Sequence, residues 1–308
     1  MGDRTRSAVQ HFNAGVQYQK QGKLDQAKEA YQRAIRTDKA FAAAYNNLGF
    51  VCLKAGEYAV AAKYFQAVVR LEPNNIEALH NLGYAFEKQE MTGTAKTFYL
   101  KVSQLDPTNE EAYLNLGMIA EREGNFDEAR HYYQTAAQVN HRSAHARFFL
   151  AMLYERTDLF DEAIATYLEA LHYDPTYLKA CFNVARLYHT QGELGKAITY
   201  FEKALELQPQ NAGTCNNLGL VYEELGDWAK AIACFQHAIE IDMFRPETHL
   251  NLARVLYHWH YADLNQEKLQ GIIERLQMSL SLDPDNQEGK TLLHEAKTLH
   301  DLFALNPQ

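Results

Sequence analysis

Residues 42–75 read AAAYNNLGFVCLKAGEYAVAAKYFQAVVRLEPNN, and this 34-residue pattern recurs along most of the 308-residue chain. A small residue stands at position 8 of each copy, an alanine follows at position 20, and an aromatic residue follows at position 24. The small residues are Gly15, Gly49, Gly83, Gly117, Ala151, Ala185 and Gly219. The aromatic residues are Tyr31, Phe65, Tyr99, Tyr133, Tyr167, Phe201 and Phe235. An internal period of this length indicates a stack of helical units.

Each copy predicts two amphipathic helices joined by a tight turn. Positions 4, 7, 8 and 11 form one apolar stripe and positions 20, 24 and 27 form another, with the spacing of a helix face. A glycine such as Gly56 suits the end of the first helix, and a proline such as Pro73 stops the second. Because one copy cannot bury its apolar stripes alone, neighbouring copies are expected to stack.

These motifs resemble those of the tetratricopeptide repeat (TPR) family, whose unit is a helix–turn–helix of this length. The resemblance implies an all-α, right-handed α-solenoid of eight TPR repeats with a C-terminal capping helix. The expected repeats are 8–41, 42–75, 76–109, 110–143, 144–177, 178–211, 212–245 and 246–286, after an N-terminal tail at 1–7. In the last repeat Pro284 arrives seven residues late, which predicts about two inserted helical turns near 258–264.

The capping helix is expected at 287–308, where an apolar stripe faces the last repeat. The stripe consists of Leu292, Leu293, Ala296, Leu299 and Phe303. A terminal helix with a polar outer face seals the core of a repeat array.

Composition and motifs exclude several classes of protein. The net charge is −9 and no basic stripe stands out, so nucleic acid is not an expected partner. No apolar run approaches the roughly 20 residues of a membrane span, and residues 1–6 lack the apolar segment of a secretion signal. The chain is therefore expected to be cytoplasmic, with no membrane insertion. No phosphate-binding loop, nucleophile elbow or HExxH pair is present, which predicts a non-enzymatic protein without a cofactor.

The cysteines, histidines and carboxylates are read as structural, and no metal site is expected. Cys52, Cys181, Cys215 and Cys234 lie at helix-packing positions and match no metal or redox spacing. The pairs at 141 and 145 and at 258 and 260 are histidines without further ligands nearby. Position 12 carries Glu87, Glu121, Glu155 and Glu223, the first three each followed by a cation. Carboxylates that recur with the repeat predict a solvated, charge-balanced helix edge.

The first helix has a second face, opposite its core stripe, formed by positions 2, 5, 6, 9 and 13. In the TPR family this face lines the concave side of the superhelix and holds the ligand. Position 6 is asparagine in seven of the eight repeats: Asn13, Asn47, Asn81, Asn115, Asn183, Asn217 and Asn251. An asparagine amide can pair with both groups of a peptide unit. With helices about 8–10 Å apart, one asparagine would meet about every third residue of an extended chain.

This row resembles the asparagine ladder of the O-GlcNAc transferases, which holds peptide backbones. The alternative is that the asparagines only cap or bridge neighbouring helices, and both interpretations stay open here. The row is interrupted once, at Phe149.

Apolar residues accompany the asparagines and predict an exposed binding patch. They are Phe12, Phe50, Tyr84, Leu114, Met118, Phe148, Phe149, Met152 and Phe182. The alternative is that a second copy or the C-terminal tail covers them. The carboxylate clamp known in the family is absent, since Phe12 and Val16 stand where its lysine and asparagine belong.

The sequence therefore predicts a protein–protein interaction scaffold that binds an extended or helical peptide segment in a concave groove. Two alternatives use the same surface. One is a structural protein in which the groove and the segment around Trp259 pack against other copies to form homo-oligomers, and the other is a regulatory subunit that docks an enzyme.

Overall fold

The computed structural model describes residues 3–305, which form seventeen α-helices and one short 3₁₀ helix, with no strand among them. The first helices of the hairpins, called A helices here, are α1 (Asp3–Lys20), α3 (Ala42–Lys54), α5 (Ile76–Glu87), α7 (Glu110–Arg122), α9 (Ala144–Arg156), α11 (Leu178–Thr190), α13 (Ala212–Glu224) and α15 (Pro246–Trp259). The second helices, called B helices, are α2 (Leu24–Thr37), α4 (Tyr58–Leu71), α6 (Thr92–Leu105), α8 (Phe126–Val139), α10 (Phe160–Tyr173), α12 (Leu194–Leu207), α14 (Trp228–Ile241) and α16 (Gln266–Leu282). The last helix is α17 (Gln287–Leu305).

The helices group into two compact units, one ending at Leu159 (unit 1) and one beginning at Phe160 (unit 2). In both units consecutive helices pack as antiparallel neighbours, and each helix contacts mainly those beside it in the sequence. Both units are thus all-α solenoids, and their cores run along the stacked hairpins.

The turn between the two helices of a hairpin requires one residue in the left-handed backbone region. Glycine fills this position at Gly22, Gly56, Gly124, Gly192 and Gly226, with φ between +74° and +78°. Glycine suits this conformation because it has no Cβ to clash with the following carbonyl. The third and fifth hairpins place Glu90 (φ +62°) and Asp158 (φ +60°) there instead.

In the five hairpins with glycine at position 8, the core includes a contact between the aromatic ring and the backbone of the A helix. All seven position-24 rings are fully buried. A Cβ built on Gly117 would lie 2.4 Å from Cε1 of Tyr133, and one on Gly49 would lie 2.8 Å from Cε1 of Phe65. Such distances are below any real Cβ contact, so a glycine here lets the ring lie directly against the A helix.

The eighth hairpin departs from the others, but without two extra turns near 258–264. Relative to the seventh hairpin, α15 is one residue longer than α13 and α16 is three residues longer than α14. The link between its helices has six residues, 260–265, against three at 225–227, and contains the 3₁₀ helix Tyr261–Asp263. The seven additional residues are therefore divided among α15, the link and α16.

Helix α17 covers the end of unit 2 as the apolar stripe predicts, with one difference. Ala296 is fully buried, and Leu292, Leu293 and Leu299 pack against the core formed by α15 and α16. Phe303 lies beyond this contact and is 38% exposed. At the other end α1 already begins at Asp3, so residues 3–7 are helical rather than a tail. Residues 1–2 of that expected tail, and residues 306–308 of the expected cap, lie outside the described residues.

The ring contact at Gly117 predicts an unusual response to a single methyl group. Gly117→Ala should destabilise the protein by about 1–3 kcal/mol, because the Tyr133 ring or the helix must move. Gly93→Ala is the matched control: Gly93 is also helical, a Cβ there meets nothing within 4 Å, and the change should stabilise by about 0.5–1 kcal/mol. Urea denaturation of both variants checks this. Equal midpoints would show that the ring does not constrain position 8.

The strained turn of the third hairpin predicts a stabilising substitution. Glu90→Gly should raise stability by about 0.5–1 kcal/mol, because it removes the steric cost of a side chain at φ +62°. The same change at Lys88, whose φ is −67°, should instead destabilise by about 0.5–1 kcal/mol. Melting temperatures measured under one condition compare the two, and a lower value for Glu90→Gly would contradict the strain.

Candidate functional site

The surface opposite the core stripe of the A helices is the candidate functional site. Positions 2, 6, 9 and 13 follow one another by four, three and four residues, so they share one stripe of each A helix. We call the set of these stripes within one unit its A-helix face. In unit 1 the face has three parallel rows: asparagines at position 6, apolar residues at position 9 and cations at position 13.

Side-chain bonds connect neighbouring A helices along this face in unit 1. Asn46 donates to Glu77 at 2.9 Å, joining α3 to α5. Arg122 donates to Glu87 at 2.7 Å, and Arg156 donates to Glu121 at 3.0 Å, which extends the connection through α7 to α9. The rows therefore cross several consecutive helices that are fixed in register.

The asparagines of position 6 differ in what the fold already uses them for. Three follow a repeat whose buried ring is tyrosine, and two of these bond to its hydroxyl. The Asn47 amide donates to Tyr31 Oη at 3.3 Å, and the Asn183 amide donates to Tyr167 Oη at 2.9 Å. For these two residues a structural role is visible in the geometry.

Three asparagines follow a repeat whose buried ring is phenylalanine, and two of them make no side-chain bond to the described residues. Asn81 follows Phe65 and Asn217 follows Phe201, rings that have no hydroxyl to offer. Both asparagines are half-buried and form no side-chain hydrogen bond within residues 3–305. Asn13 of the first helix is exposed and likewise makes no such bond to the described residues. These amides can therefore still hydrogen-bond to a ligand.

The remaining two asparagines are held by other partners. Asn115 lies 3.0 Å from Nε2 of His80, while the Tyr99 hydroxyl donates to Glu87 at 3.1 Å. Asn251 is only 7% exposed, donates to Asn216 at 3.0 Å and accepts from Arg254. The asparagines at position 6 thus differ in their hydrogen-bond partners.

The apolar patch is only partly exposed. Phe50, Tyr84 and Met152 are 37%, 38% and 38% exposed. Phe12, Met118, Phe149 and Phe182 are half-buried. Phe149 replaces the missing asparagine by stacking on Tyr133, with ring centroids 5.7 Å apart and an interplanar angle of 19°.

Leu114 and Phe148 correct the expectation of an exposed patch, since they are only 5% and 6% exposed. Both stand at position 5, one residue before the asparagine row. Position 5 is turned toward the following repeat: Leu114 belongs to the core cluster that includes Ala146 and Leu150 of α9. The exposed apolar row is therefore position 9 and not position 5.

Position 13 is cationic in all five A helices of unit 1, whereas only the three cations that follow position-12 carboxylates were recognised from the sequence. The five cations are Lys20, Lys54, Lys88, Arg122 and Arg156, all exposed and spaced by the repeat period. The net charge of −9 hid this row, and the 34-residue spacing was the signal that could have revealed it. The expectation that no basic stripe exists does not hold for unit 1.

The carboxylates at position 12 are also less solvated than the sequence predicts. The side chains of Glu87 and Glu121 are 16% and 17% exposed. Besides its arginine, Glu121 accepts a hydrogen bond from the buried Tyr133 hydroxyl at 2.9 Å. Burial and this carboxylate raise the pKa of Tyr133, so the phenol stays protonated as the donor.

The cationic row consequently has two parts. Arg122 and Arg156 are neutralised by Glu87 and Glu121. Lys54 lies over the Phe50 ring at 5.0 Å and Lys88 over the Tyr84 ring at 5.2 Å. Neither these lysines nor Lys20 forms an ion pair with any described residue.

The A-helix face of unit 2 is built differently. Position 13 there is Thr190, Glu224 and His258. Arg254 of α15 makes two bonds to Glu223, at 2.8 and 2.9 Å, and one to Glu288 of α17 at 2.9 Å. The charges on this face hold helices together instead of facing solvent unpaired.

The four cysteines differ in burial. Cys52, Cys181 and Cys215 are buried and Cys234 is half-buried. Burial raises the pKa of Cys52 to about 11 and that of Cys234 to about 12. Among residues 3–305 no three His, Cys, Asp or Glu side chains are grouped to hold a metal ion, and none of the helices is long and apolar enough to cross a bilayer.

Comparison with family models identifies the class of the protein. A tetratricopeptide repeat model matches residues 12–76, 53–110 and 114–177. A TPR repeat model matches residues 185–226, and a further tetratricopeptide repeat model matches residues 212–242. These matches cover well over half of the chain, so the chain belongs to the tetratricopeptide repeat family.

Solved structures agree on the fold. A tetratricopeptide repeat protein from Parabacteroides merdae is 20% identical, with a TM-score of 0.59 over 82% of this chain and 99% of that chain. Pseudomonas aeruginosa PilF is 20% identical, with a TM-score of 0.57 over 73% and 99%. A chain of the APC/C hetero-tetramer Cut9–Hcn1 is 18% identical, with a TM-score of 0.54 over 89% of this chain and 52% of that one, so this chain spans about half of its length. A search of curated protein sequences found no significant match.

The two bonding states of the asparagines predict two different mutational effects. Asn47→Ala and Asn183→Ala should each destabilise the protein by about 0.5–1.5 kcal/mol, because each loses a hydrogen bond to a buried tyrosine. Asn81→Ala and Asn217→Ala should leave the free energy of unfolding unchanged or raise it by roughly a few tenths of a kcal/mol, because alanine is the better helix former. Urea midpoints of the four single variants test the difference. Equal losses in both pairs would mean that Asn81 and Asn217 have structural partners after all.

Proposed function

We propose that the protein is a non-enzymatic interaction scaffold that binds an extended or helical peptide segment of a partner protein on the A-helix faces. The observation that carries the proposal is the state of Asn81 in α5. Its amide forms no side-chain hydrogen bond with the described residues, and it lies one helical turn from the exposed ring of Tyr84. A polar group that can pair with a peptide unit thus stands beside an apolar anchor.

The chemistry of the neighbouring residues fits a peptide better than a small molecule. Met118 and Met152 occupy the apolar row of α7 and α9, and methionine adapts to varied side chains. Aromatic residues such as Phe50 and Tyr84 are the types that contribute most to protein interfaces. The rows run across consecutive helices, which suits a long ligand.

Catalysis is not part of this proposal, and the described cysteines do not suggest it. The thiols have raised pKa values, which keeps them protonated near neutral pH. The repeats of this family serve generally as protein-interaction modules.

Self-association is the second candidate, and the turn of the eighth hairpin favours it. Trp259 is 46% exposed and Tyr261 is 69% exposed, although both belong to the part of the chain that departs from the repeat. Aromatic residues exposed together are typical of contact surfaces. A second copy of the chain would be the occupant in this case.

A random 12-residue peptide library displayed on phage, panned against the full chain, tests the first candidate. Selected peptides, measured by fluorescence polarisation, should lose about 1 kcal/mol of affinity with Asn81→Ala and roughly 1–3 kcal/mol with Tyr84→Ala. The matched control is Gln66→Ala with Val60→Ala, an exposed amide and an exposed apolar side chain of α4. This control should not change affinity.

Two results would count against this assignment. Unchanged affinity in both the Asn81 and Tyr84 variants would remove the A-helix face of unit 1 as the binding site. A mass that rises with concentration in sedimentation, and falls to that of the monomer with Trp259→Ala, would favour self-association.

A further inference from the structure

The unpaired lysines of unit 1 define what kind of peptide its A-helix face would select. Lys20, Lys54 and Lys88 occupy the same position in three consecutive A helices and are all exposed. Among the carboxylates close in sequence, Glu57 accepts from Lys28 at 2.6 Å and Glu87 accepts from Arg122 at 2.7 Å, while Asp25 and Glu90 form no ion pair with these lysines. Three positive charges in a row therefore lack a counterion on a chain whose net charge is −9.

Each of two lysines is presented together with an aromatic ring. The ammonium groups of Lys54 and Lys88 lie 5.0 and 5.2 Å from the ring centroids of Phe50 and Tyr84. A cation over a ring is held extended along it by the negative face of the π system. A ligand that meets this pair needs a carboxylate for the ammonium group and an apolar group for the ring.

The acidic residues of this face lie at its opposite edge. Glu77 and Glu111 stand at position 2, eleven residues before the cations of the same helices. At about 1.5 Å per residue, the two edges are roughly 16 Å apart along each helix. A peptide lying over the lysines would therefore be clear of these carboxylates.

The spacing of the lysines selects a backbone conformation. Packed helices lie about 8–10 Å apart, so successive lysines recur at about that interval. In a polyproline II helix every third side chain returns to the same side, after about 9.3 Å. In a β-strand every second side chain does so, after about 6.6 Å, which does not match. A polyproline II backbone has no internal hydrogen bonds, so its peptide groups remain available to Asn13 and Asn81.

We propose that unit 1 recognises acidic segments in polyproline II conformation that carry Asp or Glu at every third residue, with the carboxylates on Lys20, Lys54 and Lys88. This inference rests on the proposed function, since it assumes that the A-helix face holds a peptide. The asparagines hold the backbone, and the position-9 rings contact the residues between the acids. Unit 2 has no such preference, because Thr190, Glu224 and His258 replace the cations.

Labelled synthetic peptides test the inference on the full chain. The probe is fluorescein-(Glu-Leu-Pro)₅, in which each proline keeps its own residue and the preceding leucine extended. The neutral (Gln-Leu-Pro)₅ and a peptide of the same composition with its five glutamates contiguous are the comparison probes. We expect tightest binding of the first peptide, with affinity that falls as salt screens the charges.

Matched double variants separate the lysine row from general electrostatics. One exposed ion pair changes affinity by a factor of about 1.4–5, so Lys54→Gln with Lys88→Gln should weaken the acidic peptide by about 2- to 25-fold. Lys63→Gln with Arg70→Gln removes the same charge from exposed positions on helix α4 and should leave affinity unchanged. The neutral peptide should bind both variants as it binds the wild type.

Each contrary result would contradict one part of the proposed recognition. Equal binding of acidic and neutral peptides would remove the acidic preference, and equal binding of the contiguous-glutamate peptide would remove the three-residue register. Displacement of the probe by an oligo-dT strand at the same concentration would point to a phosphate backbone instead. If phage-selected peptides bind through Asn81 and Tyr84 while the acidic probe does not, this inference fails and the proposed function stands. If no peptide binds at all, both fail.

Discussion

The contact between the ring at position 24 and the small residue at position 8 is the constraint on which the rest of the structure depends. It lets the two helices of a hairpin pack at close separation, because the ring lies directly on the backbone of glycines such as Gly117 and Gly219. That separation sets where the remaining side chains of the A helix point. Any surface formed by positions 6, 9 and 13 thus takes its geometry from a buried contact on the opposite side of the helix.

The choice between tyrosine and phenylalanine at the same buried position has an effect beyond packing. Both rings fill the same space, but only tyrosine offers a hydroxyl to the asparagine of the next repeat, as Tyr31 and Tyr167 do. Phe65 and Phe201 leave Asn81 and Asn217 without that bond. In these four cases the ring hydroxyl separates engaged amides from available ones, whereas Asn115 and Asn251 are held by other side chains.

The family, the all-α class and the regular hairpins could be predicted from sequence because their cause is local and periodic. A repeated small residue, alanine and ring imply the same packing each time. The bonding of individual asparagines could not be predicted, since it depends on distances between side chains that are sixteen residues apart. The burial of Leu114 and Phe148 depends on how position 5 faces the next repeat, which a helical wheel of one helix does not contain. The lysine row could be predicted from its 34-residue spacing, although the net charge of the whole chain does not reveal it.

The eighth hairpin was the least predictable part, because seven additional residues can be accommodated in many ways. Two inserted turns were expected, whereas α15, the link and α16 each take some of the length. Length can be counted from a sequence, but its distribution depends on which apolar residues, such as Leu264 and Leu269, reach the core.

Arg254 has a consequence for how the array comes apart. A chain of repeats that contact only their neighbours tends to fray from its ends, where a unit has one interface instead of two. Arg254 bonds at the same time to Glu223 of α13 and Glu288 of α17, so it ties three consecutive layers with one guanidinium group. Detaching the last helix would leave that half-buried cation with part of its bonding unsatisfied. The terminal helix is thereby linked through one side chain to the two A helices before it.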